Sequence, residues 1–184
     1  MHTTRRSLLA GAAGAAATPL ATVVAFEDPS CRQCRRFETE TFPTLKSELV
    51  DPGDAAFVYR TLDITFPWGE PASQVMASTY AAADAFWGLK DYYYERQPEF
   101  EVDNVFELSA SYLEEQPSVD ADAVVAAARD GEHDEFVQRN RDAAEEAGVG
   151  STPQFFLFRD GTFRTEVAGP QDYEVFESAL GFDA

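Results

Sequence analysis

The chain has 184 residues, 45% of them hydrophobic and 13% aromatic, which is enough to bury one real core and argues against an intrinsically disordered chain. Its 33 acidic residues against 14 basic ones give a net charge of −19, which leaves no basic face for nucleic acid. The two cysteines, Cys31 and Cys34, cannot staple a domain of this size, because a bond between them closes only a small loop.

The distribution of charge carries further information. Lys46 and Lys90 are the lysines, and the other basic residues are arginines. An acidic surface with scarce lysine suits a protein kept soluble in molar salt, where repulsion is screened within about 3 Å. The chain therefore reads as halophilic.

Residues 1–21 are read as a twin-arginine-type export signal: Arg5-Arg6 precede a weakly hydrophobic Ala/Gly stretch, and Ala15-Ala16-Ala17 offer small residues for cleavage. The uncharged run from Leu8 to Phe26 is long enough to span a membrane. It is nevertheless rich in Ala and Gly, contains Pro19, and ends in residues needed for a strand, so cleaved export is preferred over a retained anchor. Export places the cysteines in an oxidising compartment.

Thr22–Phe26 is a short apolar run, expected as a buried parallel strand. Glu27–Ser30 reads as a loop with Ser30 as the helix N-cap. A helix starts at the cysteines with Phe37, Leu45 and Leu49 on one face, and Pro43 should kink or split it. A turn at Asp51–Asp54 leads to a strand over Ala56–Leu62. From Ala72 to Ala147 the pattern is helical, with four helices expected. The first carries Val75, Met76, Tyr80, Ala83, Phe86 and Trp87, and the second is centred on Leu108. The third runs from Asp120, and the fourth holds Phe136 and Val137 and ends near Gly148. Strands over Gln154–Phe158 and Thr162–Val167 meet at Asp160-Gly161, a strong hairpin signal. Gln171–Leu180 closes the chain as a helix. The order predicts an α/β thioredoxin-like fold over residues 22–184, with a helical insertion at about 70–148 between its βαβ and ββα halves.

Disulfide exchange needs a nucleophilic thiolate and a second thiol near enough to resolve the mixed disulfide. Cys31-Arg32-Gln33-Cys34 at a helix start supplies both on one face, with Cys31 at the positive end of the helix dipole. Arg32, between the cysteines, and Ser30 are candidates for tuning the thiolate. Arg35 and Arg36 add positive charge or are plain solvent-facing residues. A zinc site would need further ligands, and with no other Cys and only His133 outside the leader, none is assigned. Thr152-Pro153 opens a strand. Pro153 is either a trans strand-entry proline or a cis proline beside the cysteines that leaves the Thr152 backbone free for a substrate strand. Phe66, Trp68 and Tyr92–Tyr94 read as core packing ahead of the alternative, a peptide groove.

Phe26-x-Asp28-x-x-Cys31-x-x-Cys34, Ala85-Phe86-Trp87 and Gly148-Val149-x-x-Thr152-Pro153-x-Phe155-Phe156 together resemble the DsbA-like branch of the thioredoxin superfamily. The resemblance implies a thioredoxin fold with a helical insertion, Cys31 as the attacking thiol, Cys34 as the buried resolving thiol, and a cis Pro153. No cofactor is implied. The expected partners are protein thiols and disulfides, and a membrane redox partner.

The chain departs from the family pattern at three points. Arg32-Gln33 is neither Pro-His nor Gly-Pro. The family's buried acid before the cysteines is replaced by Ala25, with Glu27 and Asp28 as substitutes or as loop residues. An edge strand that usually precedes the first one is not evident. The resulting expectation is an exported oxidase of protein thiols. A reductase or isomerase and a thiolate metal-binding protein are the alternatives.

Overall fold

The computed structural model describes residues 19–82 and 85–183; the Arg5-Arg6 pair, the Ala15–Ala17 tract and Ala83 lie outside them. Ala21, assigned by sequence to the leader, is the first residue of strand β1 (Ala21–Glu27). β1 runs parallel to β2 (Ala55–Thr61) and antiparallel to β3 (Gln154–Arg159), and β3 pairs antiparallel with β4 (Thr162–Ala168). Among the described residues these form one four-stranded sheet in the order β2-β1-β3-β4.

The central strands are apolar on both faces because both faces are covered. Val23 and Ala25 point to one side, with Phe155 and Leu157 of β3. There they meet Phe37, Phe42, Leu45 and Leu49 of the cysteine helix, and Phe176 and Leu180 of the final helix. Val24, Phe26, Phe156 and Phe158 point the other way, against Ala144 and Leu62. The Phe37 and Phe155 rings lie 4.4 Å apart, with Phe176 5.0 Å from Phe155, so the C-terminal helix and the cysteine helix share one aromatic cluster.

The cysteine helix is continuous but changes pitch. It runs as α1 (Arg32–Arg36), a π-helical turn Phe37–Thr41, α2 (Phe42–Leu45) and a second π-helical turn Lys46–Val50. The expected break at Pro43 is thus absorbed without a split. The Phe42 N–H reaches back five residues to the Phe37 carbonyl, and Pro43 sits in the first turn of α2, where it needs no N–H donor.

Between β2 and β3 lie α3 (Gly69–Ala82), α4 (Phe86–Glu95), a 3-10 turn Gln97–Glu99, α5 (Val105–Glu114), α6 (Ala121–Arg129) and α7 (Asp134–Ala147). The single helix expected to reach Trp87 is in fact two. The break lets α4 turn back so that Leu89 and Tyr93 join Trp68, Ala72, Val75 and Met76 in the insertion's own core. Asp120 caps α6 through a 3.0 Å bond from Ala123 N, and left-handed Gly148 (φ 76°) ends α7. Asp160 and Gly161, at φ 50° and 70°, make the tight turn that their sequence signals. α8 (Tyr173–Leu180) completes the fold. Among the described residues no helix is long and apolar enough to cross a membrane.

Candidate active site

β1 ends by feeding its chain directly into the cysteine turn. Cys31, not Ser30, is the N-cap of α1, with extended φ/ψ of −78° and 121°. Its Sγ therefore occupies the place of a capping oxygen and accepts from the Cys34 N–H at 3.4 Å. Both cysteines are free thiols. The Cys31 thiol is lowered from its ordinary 9.0 to about 5, above all by the hydrogen bond from the Cys34 side chain. Burial opposes the shift, while the Thr152 side chain and the Cys34 and Gln33 N–H groups reinforce it. Cys34 is fully buried and goes the other way: burial, the bond to Cys31 and the nearby Glu27 hold its thiol well above the usual range.

Glu27, read by sequence either as a loop residue or as a substitute for the family's buried acid, is the last residue of β1 and is fully buried. It lies two residues beyond Ala25, and the period of a strand puts both on the same face. Neither Glu27 oxygen, nor Glu38 Oε1, has a hydrogen-bond partner among the described residues, while Glu38 Oε2 accepts from the buried Lys90 Nζ. Burial and the facing Glu38 raise Glu27 well above the usual carboxyl range. One proton on Glu27, donated to Glu38 Oε1, satisfies the pair and leaves a single carboxylate for Lys90. Lys90 reaches the surface through exposed Asp91, 3.0 Å away. Lys90 belongs to α4, so the helical insertion supplies the cation for a carboxyl pair under the thioredoxin half. The Tyr59 and Tyr94 hydroxyls, 2.7 Å apart, close the same pocket around the cysteines.

The insertion also fixes the turn itself. Gln97 Nε2 donates to the Pro29 carbonyl at 2.7 Å and the Cys31 carbonyl at 3.0 Å, and Arg35 Nε donates to the Tyr94 carbonyl at 2.9 Å. Asp28 organises the loop below. Its carboxylate accepts from Ser30 N at 2.7 Å, Ser30 Oγ at 2.6 Å and Thr65 N at 2.7 Å. Gly69 is required beside it, because a Cβ there would lie 2.8 Å from Asp28 Oδ1 and 2.9 Å from Ser30 Oγ.

The structure brings Thr152 and Pro153 to the cysteines across more than a hundred residues. The Thr152–Pro153 peptide is cis, and Cys31 Sγ donates to the Thr152 carbonyl at 3.3 Å. The Pro153 carbonyl accepts from Gly169 N at 2.9 Å, which ties this loop to the end of β4.

The two residues expected to tune the thiolate are placed otherwise. Ser30 is spent on Asp28 and on Phe66 N at 3.0 Å. The exposed Arg32 holds its guanidinium 5.9 Å over the Phe66 ring. Neither donates to Cys31 Sγ, and the groups that lower Cys31 are the thiol, hydroxyl and backbone donors named above. Phe66 is exposed, at 43%, whereas Trp68, Tyr93 and Tyr94 are core. Among the described residues no group of three or more His, Cys, Asp or Glu side chains could hold a metal ion.

Residues 9–181 match the family model described as Thioredoxin. The chain belongs to the thioredoxin family. Disulfide bond formation protein D of Bacillus subtilis is 29% identical over 83 residues, covering 44% of this chain and 36% of that protein. The thioredoxin-family chain thus spans about a third of the length of this curated relative. Among solved structures it is similar to oxidised BdbD from Bacillus subtilis, with a TM-score of 0.78 and 19% identity over 90% of each chain. It is also similar to DsbA from Chlamydia trachomatis (TM-score 0.73, 17% identity, 91% of this chain and 88% of that one). Alpha-DsbA1 from Wolbachia pipientis gives a TM-score of 0.73 at 16% identity, over 89% and 85% of the two chains. At these identities the structural likeness establishes the fold.

Proposed function

We propose that this protein is an exported thiol–disulfide oxidoreductase that donates its Cys31–Cys34 disulfide to protein thiols. The observation that carries the reading is the asymmetry of the pair. A capping Cys31 lowered to about 5 lies against the Thr152–Pro153 loop, while Cys34 is buried and raised. At pH 7, two units above the Cys31 value, ionisation stabilises the dithiol form by about 2.7 kcal/mol. That makes the disulfide roughly 60 mV more oxidising than an unperturbed pair. This favours the donor direction over a reductase or isomerase. The similarity to a protein named for disulfide bond formation points the same way.

In the forward step a substrate thiolate attacks Cys31 Sγ and the Cys31–Cys34 bond breaks. Cys34 leaves as a thiolate and takes the proton held by Glu27. A second substrate thiolate then attacks the substrate sulfur of the mixed disulfide and releases Cys31 as the thiolate. The substrate loses two electrons and the cysteine pair gains them. Thr152 and Pro153 present the backbone edge along which the substrate strand lies beside Cys31. Glu27 regains its proton from solvent by way of Glu38 and Lys90, whose ammonium reaches the surface beside the exposed Asp91. Return of the dithiol to the disulfide needs a two-electron acceptor, which we assign to the disulfide of a membrane redox partner. The residues before β1 act as the export leader, and the −19 charge keeps the domain soluble in molar salt.

The test is single-turnover oxidation of a dithiol peptide by the oxidised protein in molar salt. The proposal expects one peptide disulfide per protein and none from Cys31→Ser. An intact disulfide that leaves the peptide reduced would overturn it.

A further inference from the structure

A groove of about 630 Å³ opens at the cysteine turn, lined by Ser30 and Arg32 on either side of Cys31 in the chain. Its lining includes Ser30, Arg32 and Arg35 of the cysteine turn, the adjoining Phe66 and Trp68, and the insertion segment running from Gln97 to Val102. The groove is not a gap in packing. Ser30 Oγ ties the Phe66 backbone to the turn, and Gln97 holds the Cys31 carbonyl, so the lining is fixed to the reactive cysteine. Its rim carries apolar side chains that the core does not use, Phe66 at 43% and Val102 at 49% exposure. It also carries cations without counter-ions. Arg32 and Arg35 make no ion pair among the described residues, whereas Arg36, one position further on, is paired with Glu40 at 2.9 Å. Glu101 is the carboxylate among the lining residues. In a chain of net charge −19, two unpaired guanidiniums beside the nucleophile are a local reversal of sign.

We infer that this groove seats the segment of the protein substrate next to its reactive cysteine, and that it selects segments pairing an apolar residue with a carboxylate. The inference rests on the proposed exchange reaction and names its substrate preference. The carboxylate pairs with Arg32 at the mouth, and the apolar residue lies on Phe66 and Val102. Arg35, already bonded to the Tyr94 carbonyl, holds the wall in place. The bonds made and broken are those of the exchange itself; the groove contributes only position and charge complementarity.

The test compares two dithiol peptides that differ only in a Glu or a Lys beside the cysteine. Each is oxidised by the wild-type disulfide form at low and at molar salt. The quantity read is the Glu-to-Lys rate ratio within each protein, which cancels changes in the intrinsic reactivity of Cys31. Arg32→Glu should lower that ratio about 5-fold at low salt and by less in molar salt, where screening to about 3 Å leaves mainly the contact pair. Arg36→Glu, which alters the net charge equally but lies outside the groove, should leave the ratio within two-fold of wild type. Phe66→Ser should slow both peptides while leaving the ratio in place.

A ratio unmoved by Arg32→Glu, or moved equally by Arg36→Glu, would overturn the groove's selectivity. Oxidation of dithiothreitol, which carries no charge to read, separates the two levels. If it proceeds while the ratio is flat, the groove inference fails alone. If neither dithiothreitol nor a peptide is oxidised, the exchange reading fails first.

Discussion

Replacing Glu27 with glutamine should stabilise the protein at neutral pH and slow its chemistry, two effects of one buried proton. Glu27 is fully buried with no hydrogen bond from another group, and burial with the facing Glu38 raises its pKa well above 4.5. A raised carboxyl contributes stability that is complete below the unfolded value of 4.5 and is lost as pH rises through the folded value. Each unit of separation is worth about 1.4 kcal/mol. Between 4.5 and its raised folded value, the wild type therefore loses up to about 1.4 kcal/mol of stability per pH unit on this account alone. Glutamine donates to Glu38 as the carboxylic acid does and has no proton to lose. The two proteins should therefore be of similar stability near pH 4, with Glu27→Gln pulling ahead as pH rises, by up to about 1.4 kcal/mol for each pH unit over which Glu27 keeps its proton. Denaturant unfolding at a series of pH values reads this difference. Release of Cys34 then lacks its nearby proton donor, so single-turnover oxidation should slow by about 10-fold or more. A stability difference that stays flat from pH 4 to 8 would refute the reasoning, because Glu27 would then titrate as an ordinary carboxyl.

Three further outcomes follow from the same geometry. Cys34→Ser should leave Cys31 reactive but without its resolving thiol, so with the disulfide form of a substrate peptide Cys31 should attack one peptide sulfur, release the other as a thiol, and accumulate as a mixed disulfide visible on a non-reducing gel; its absence would contradict Cys31 as the attacking sulfur. Thr152→Val removes a side chain that lowers Cys31, so the thiol should titrate above 5 and the disulfide should become less oxidising by roughly 30 mV per unit gained; an unchanged titration would remove Thr152 from the account. Gly69→Ala drives a methyl against Asp28 and Ser30 and should cost about 1–3 kcal/mol in thermal or denaturant unfolding; a neutral result would show that the loop yields.

The sheet and its connections were legible because their signals are local. The apolar run before the cysteines, the Asp160-Gly161 turn and the helical spacing of the insertion each announce an element within a few residues. Cys31-x-x-Cys34 and Thr152-Pro153 were legible as motifs, although their meeting is a product of the β1–β3 register. What the sequence hid is assembled from distant, chemically ordinary residues. Lys90 lies among aromatic positions of α4, and nothing local in the sequence marks it as the partner of Glu38. Gln97 has no motif at all. Glu27 stayed open between a loop residue and a stand-in for the buried acid, because its carboxylate interrupts an apolar run where burial is costly; the structure buries it at the end of β1. Arg32 failed in the opposite direction. Adjacency in sequence suggested that it acts on Cys31, but an α1 side chain next to the N-cap points outward, and its guanidinium settles over Phe66. Ser30 looked like a cap for the same reason of adjacency, but the cap is one residue later, at the cysteine itself.

The central claim, that this fold holds Cys31 as a thiolate beside a protonated Cys34, is tested most directly by titrating the ultraviolet thiolate absorbance of the reduced protein, with Cys31→Ser as the blank. The account predicts a single ionisation at about 5 that is absent from the variant. An ionisation near 9 would mean that the capping geometry does not activate Cys31, and the disulfide-donor reading would lose its physical basis.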